Sequence, residues 1–335
     1  MPIRTSKLRA LCIAFALLFL LAPKADEQQS FKPTAEAVHE DALLKALKEG
    51  DRISGRISIP DPMASNLIQP AGKDWRDFRR SMLPVIGSVA IIGMLLLLAI
   101  FLAVRGRVRV EHGFSGTKIL RFASFERFTH WLTASCFMIL ALSGINISFG
   151  RVLIPIFGPE TFSKLTALGK LAHNYLAFPF MLGIAIMFLI WIKDNIPGKL
   201  DLEWIKKGGG MLKNGEHPPA KRFNAGQKGI FWIVMIGGGL MSLSGGFMLF
   251  PYFSANVTAL QFSTIIHAVI AMGFIAAMIA HIYIGTIGME GAFDAMGTGE
   301  VDLNWAKEHH SIWVAEEHAK GHVHDIGSTR PLPAE

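Results

Sequence analysis

The sequence predicts an all-α integral membrane protein, and three observations predict it. Of the 335 residues, 51% are apolar and only 18% charged, with a mean hydropathy of +0.39, a balance too apolar for an ordinary soluble domain. Several windows exceed the roughly 18 apolar residues that a membrane-spanning helix requires. Lys and Arg gather in alternate connections between those windows, as the positive-inside rule asks of a multi-pass chain.

The first element is a targeting segment. Arg4, Lys7 and Arg9 precede "ALCIAFALLFLLA" and "PKADEQQ", giving a basic start, a short apolar core and a small-residue exit. Residues 1–25 therefore read as a signal peptide cleaved near Ala25. The alternative is an uncleaved anchor, for which roughly 13 apolar residues are short. Residues 26–82 then form a polar, periplasmic N-terminal segment. Its stretch "AEAVHEDALLKALKEGDRISGRISIPDP" suggests one short amphipathic helix followed by loop. About 55 residues without cysteine pairs make a marginal core, so a docking or structural appendage is expected there.

Five spans follow. Leu83–Val104 has no charge, Trp131–Gly150 has none, Leu171–Ile192 has only His173 as an ionisable group, and Gly229–Met289 is long enough for two spans. The break in the last run is expected near Pro251–Asn256. Residues 105–126, with Arg105, Arg107, Arg109, Lys118 and Arg121, read as a cytoplasmic loop. The 193–228 loop carries eight Lys or Arg, and the 251–260 connection on the opposite side carries none. The tail 290–335 is then cytoplasmic too. The formal charge of +7 is accounted for by these loops and requires no nucleic-acid partner.

The informative residues are histidines inside apolar spans. "IIHAVIAMGFIAAMIAHIYIG" (265–285) holds His267 and His281 in a run with no Asp, Glu, Lys or Arg between Lys228 and Glu290. On a helix, that spacing separates the rings by roughly 21 Å and leaves them within about 40° of the same face. With the topology above, His173 and His267 lie toward the outer surface, and His130 and His281 toward the inner. Each pair draws on two helices. A low-spin haem takes one axial ligand on each face, and two haems at two depths carry electrons through a medium that excludes charge. Neutral imidazole brings no negative charge into lipid. Cys12 lies in the signal and Cys136 in a span, so no CxxCH attachment site exists and bound haem would be non-covalent, b-type. A metal transporter is the rival reading, but such a path would add intramembrane carboxylates, which these spans lack.

Weaker signals accompany the histidines. Arg127 and Lys170 each stand three residues before a proposed ligand, where they can meet haem propionates. Gly144, Gly237, Gly238, Gly239, Gly245 and Gly246 suit close helix packing. His309, His310, His318, His322 and His324 in the tail read as solvated. The chain holds no catalytic residue of its own.

In order, "RFTHW" (127–131), "LAHNYLAF" (171–178), "DNIPGKLDLEWI" (194–205), "KRFNAGQK" (221–228), "IIHAVIA" (265–271), "AHIYIG" (280–285) and "WAKEHH" (305–310) resemble the gamma subunit of respiratory formate dehydrogenase, its membrane cytochrome b. The resemblance implies a four-helix diheme cytochrome b bundle over 127–289, to which 83–104 adds one N-terminal transmembrane helix. It implies two b haems on His130, His173, His267 and His281. It also implies a menaquinone or ubiquinone site beside the inner haem, formed by Asn224, Gly226, Gln227 and His281, although Asn224 and Gln227 on their own read equally well as a helix cap. An iron–sulfur beta subunit and a molybdenum or tungsten pterin alpha subunit would complete the complex in a bacterial inner membrane, delivering electrons from formate to membrane quinone. Diheme cytochromes of hydrogenases and thiosulfate or polysulfide reductases are the alternative reading, and a non-redox membrane anchor the second alternative.

Overall fold

The computed structural model describes residues 45, 48–50, 70–210, 217–253 and 256–322. The expected signal peptide and nearly all of the N-terminal segment lie outside them. Helix α1 (Pro70–Asp77) runs through a π-helical turn (Phe78–Met82) into α2 (Leu83–Arg105), which stops at Gly106, where φ is 73°. The other long helices are α3 (Ser124–Ser148), α5 (Pro159–Trp191), α7 (Ala225–Leu249) and α8 (Val257–Tyr283), with the short α4 (Gly150–Phe157) and α6 (Lys199–Lys206) in connections. Among the described residues, five helices are long and apolar enough to cross a membrane, as expected. The third begins a dozen residues before its unbroken apolar run, because Pro159 and Glu160 start a helix that Lys164 then staples to Glu160 at 2.8 Å.

Lipid supplies no hydrophobic drive between apolar helices, so their association rests on close packing and a few hydrogen bonds. Gly183 of α5 lies against Thr133 of α3, whose hydroxyl donates to the Thr129 carbonyl at 2.8 Å. A side chain at Gly87 of α2 would start 2.8 Å from Phe149 and 3.0 Å from the sulfur of Met272 on α8. That contact, with Ile91 and Ile275, seats α2 on the bundle. The indole of Trp75 on α1 donates to the Thr264 hydroxyl of α8 at 2.8 Å, fixing the other end of the same seam.

The basic end of the bundle is closed by a cap built from two segments distant in sequence. Strand β1 (Lys118–Leu120) pairs antiparallel with β2 (Glu300–Asp302), with Ile119 opposite Val301. The short α9 (Asp294–Gly297) precedes β2, and α10 (Leu303–His309) and α11 (Ser311–Ala319) follow it. Asp302 gathers the backbone amides of Ser115, Gly116 and Asn304 at 3.1, 2.9 and 2.9 Å. These amides lower its pKa against the opposing effect of burial.

The tail histidines correct the solvated reading. His309, His310 and His318 are buried, and only His322 is exposed as expected; His324 lies outside the described residues. The reason is the cap itself, which turns a charged tail into a packed layer around Trp305 and Trp313.

Candidate functional site

His130 sits one and a half turns into α3, and His281 near the end of α8, both at the cap end of the bundle. Their ring centroids are 6.2 Å apart. His173 of α5 and His267 of α8 face each other at the far end, again at 6.2 Å, and the interplanar angle is 61° in both pairs. The four histidines expected from sequence thus come together as the two pairs expected, one at each level.

That separation matches one metal atom held between two imidazoles. A metal–nitrogen bond of about 2.0 Å plus roughly 1.1 Å from nitrogen to ring centre, taken twice, gives about 6.2 Å. Among the described residues no group of three or more His, Cys, Asp or Glu can hold a metal ion. Two imidazoles at each level would suit a group that brings its own remaining donors, as a haem does.

The far pair is fixed by two serines that sequence reasoning missed. Ser143 of α3 donates its hydroxyl proton to the Ile139 carbonyl at 2.7 Å, and its oxygen lies 2.8 Å from His173 Nδ1. Ser244 of α7 repeats the arrangement, with Leu240 at 2.7 Å and His267 Nδ1 at 3.0 Å. With each hydroxyl proton on its own helix carbonyl, the serine oxygen is an acceptor for Nδ1–H, and that tautomer leaves the Nε2 lone pair free. The signal was present as "LSG" at 142–144 and again at 243–245. The glycine of each triplet makes room for the ring: a side chain at Gly245 would start 3.2 Å from His267 Cε1, and one at Gly144 3.7 Å from His173 Cε1.

Between the levels stand Phe137, Phe180 and Phe274, one from each of α3, α5 and α8, with centroids 5.0 to 6.5 Å apart. Each lies seven residues, about 10.5 Å along its helix, from a paired histidine. The space separating the two pairs is hydrocarbon.

The remaining sequence candidates lie as follows. Arg127 donates to the Gly297 carbonyl at 2.8 Å, while its buried Nε has no partner among the described residues; Lys170 is exposed one turn from His173. Asn224 caps α7: its side chain accepts from Gln227 N at 3.0 Å, and Gln227 Oε1 accepts from Asn224 N at 3.1 Å. Both amide oxygens are thereby engaged with backbone, which leaves the two amide NH2 groups as the donors available to another molecule. Gly226 abuts Trp204 of α6, where a side chain would start 3.1 Å away.

Beneath this loop lies buried Arg121. Its Nη2 donates to the Arg222 carbonyl at 2.7 Å and to His310 Nε2 at 3.0 Å, and reaches Gln227 Oε1 at 3.5 Å. The guanidinium also lies 4.9, 5.2 and 5.6 Å from the rings of Trp313, Phe122 and Trp305. Burial first, and then neighbouring Arg222, lower Arg121 to about 9. His310 Nδ1 lies 2.8 Å from the Lys221 carbonyl and must donate to it, so Nε2 accepts from Arg121 and the ring is neutral. Burial and the Arg121 charge hold it well below the usual histidine range.

A family model described as prokaryotic cytochrome b561 matches residues 121–299. The nitrate-inducible formate dehydrogenase cytochrome b556(Fdn) subunit of Escherichia coli K12 is 30% identical over 204 residues, 59% of this chain and 91% of that protein. The formate dehydrogenase cytochrome b556(fdo) subunit of the same strain is 30% identical over 202 residues, 59% of this chain and 92% of that protein. The formate dehydrogenase cytochrome b556 subunit of Haemophilus influenzae is 27% identical over 207 residues, 60% of this chain and 84% of that protein.

Proposed function

This chain belongs to the prokaryotic cytochrome b561 family, and on that premise we propose that it is the di-haem b membrane subunit of a formate dehydrogenase, carrying electrons from an iron–sulfur partner to quinone. The observation that carries the reading is the pair of 6.2 Å imidazole contacts at two depths. The relatives named as formate dehydrogenase cytochrome b556 subunits support the complex to which it belongs.

In this reading His130 and His281 hold one haem, and His173 and His267 the other. When bound, the haems supply one-electron carriers on either side of the membrane midplane. The chain's own residues do the rest. The serine hydroxyls present Nε2 of the far histidines to metal, and the phenyl triad excludes water between the levels. Arg127 and exposed Lys170 offer positive charge to propionates.

Orientation follows from loop charge: the cap lies in the cytoplasm and the far pair toward the periplasm of a bacterial inner membrane. A molybdenum or tungsten pterin subunit oxidises formate, and an iron–sulfur subunit delivers electrons at the far end. Quinone, menaquinone or ubiquinone, is bound at the cap end by the amide donors of Asn224 and Gln227 beside Gly226 and His281. Neutral amides can hydrogen-bond a quinone carbonyl without burying a charge. Electrons entering from outside and protons taken from inside would make each turnover charge the membrane.

The test is purification of the chain with its native partners and assay of formate-dependent quinone reduction. Co-purification of a pterin subunit and reduction by formate are expected. A complex that reduces quinone with hydrogen or a sulfur compound, and not with formate, would overturn the assignment of donor.

A further inference from the structure

The two histidine levels are not equivalent in their surroundings. At the far level Nδ1 of each ring lies at hydrogen-bond distance from a serine oxygen, Ser143 for His173 and Ser244 for His267, with the carbonyls of Leu140 and Met241 as further acceptors for the same rings. At the cap level no hydrogen bond reaches the buried Nδ1 of His130 from the described residues. The serines are built for the role: both are buried, both have their own proton tied to a carbonyl four residues back, and each is followed by a glycine against which the ring lies.

A ring whose Nδ1–H is held by an acceptor is a stronger electron donor through Nε2 and has a fixed orientation. Stronger donation favours oxidised over reduced iron, so it lowers the reduction potential of the metal it ligates. Two such serine contacts act on the far site, whereas among the described residues none reaches His130 Nδ1 at the cap site.

We propose that Ser143 and Ser244 are positioning residues that make the far haem the lower-potential of the two, so that the electron gradient runs from the far end to the cap. The proposal rests on the di-haem reading above. It assigns to a repeated Leu-Ser-Gly triplet, one copy on α3 and one on α7, the control of the direction in which electrons fall through the bundle. The serines act through the imidazoles they contact.

The experiment is a potentiometric titration of the purified complex, following b-haem absorbance, in wild type and in Ser143→Ala, Ser244→Ala, Ser143→Cys, Ser244→Cys, Ser143→Thr and Ser244→Thr. Haem content is measured on each preparation. Two resolved waves are expected in wild type. Alanine should move the lower wave upward and leave the upper wave in place. Cysteine, nearly isosteric but a weaker acceptor, should do the same to a smaller extent, and it carries the measurement where an alanine variant does not retain both haems. Threonine, which keeps the hydroxyl, should restore the wild-type wave. An unmoved lower wave in haem-replete alanine or cysteine variants, movement of the upper wave instead, or equal movement of both would overturn the proposal. Fewer than two b haems in wild type would instead overturn the di-haem reading itself.

Discussion

The rings of Phe137 and Phe274 meet at 5.0 Å midway between the two histidine levels, each seven residues from a histidine on its own helix. Phe274 is 4% exposed and stands at the centre of the 267–281 interval. Truncating it removes packing against Phe137 and Phe180 at once. Phe274→Ala should cost on the order of 2 kcal/mol, from the cavity and lost packing alone, and Phe274→Leu less. Thermal unfolding in detergent, with haem content followed in parallel, measures this. Unchanged stability in Phe274→Ala would show that the triad is not packed as described.

The cap should loosen in mild acid. Burial lowers His309 to about 4 from 6.5, with His217 adding to the effect and Glu308 opposing it. Above pH 6.5 the ring is neutral in both folded and detached cap, and no stability is at stake. As pH falls from 6.5 toward 4 the detached form takes up the proton first, so stability declines through that window and levels off below it. The loss is on the order of 3 kcal/mol at the lower limit. Amide exchange over residues 303–319, corrected for intrinsic rate, should be faster at pH 5 than at pH 7.5. His309→Gln should reduce the difference without abolishing it, because buried neutral His310 contributes in the same direction.

Capping and quinone binding by Asn224 can be separated. Asn224→Ser keeps an oxygen for Gln227 N and removes the amide donors, while Asn224→Ala removes both, at about 1 kcal/mol for the cap. Quinone-linked haem reoxidation should slow in both variants with both haems retained, and thermal stability should fall only in Asn224→Ala. Normal reoxidation in the serine variant would confine Asn224 to the cap it already makes.

Helix α2 is predicted to be separable from the core. A Cβ at Gly87 already requires the Phe149 ring and the Met272 side chain to shift, and a leucine adds three more carbons to the same gap. Gly87→Leu should therefore release α2 from α8 without loss of haem. A cysteine pair introduced at Trp75 and Thr264, whose side chains hydrogen-bond through the indole nitrogen at 2.8 Å in the parent, is too widely spaced at Cβ for a direct disulfide but should be joined by a short bifunctional thiol reagent in an otherwise unchanged chain, and poorly with Gly87→Leu. Efficient cross-linking in both would mean the seam tolerates the change.

The membrane helices were legible because length and apolarity alone define a span, and the paired histidines because a 14-residue interval on one helix fixes both direction and depth. Ser143 and Ser244 were not. A serine in a membrane helix commonly bonds its own backbone, and only the neighbouring helix reveals that its oxygen also receives a ring. The cap was hidden for a different reason. Counting Arg121, Arg127 and the tail charges gives their sign, but the pairing of Lys118 with Asp302 and the burial of His310 against Arg121 span more than 180 residues of chain. Sequence reading assigns such residues to solvent because no local pattern marks their partners. Asn224 and Gln227 carried two readings at once, and the structure realises the cap while leaving their amide donors for the other.

The central claim is that two imidazole pairs each hold a b haem, and the most direct measurement is the haem-to-chain ratio of the purified protein with its axial-ligand spectrum. The account predicts a ratio of two with bis-histidine signatures. His267→Ala should remove the far haem first and His281→Ala the cap-end haem. A ratio near one in wild type, or loss of the same haem in both variants, would contradict it.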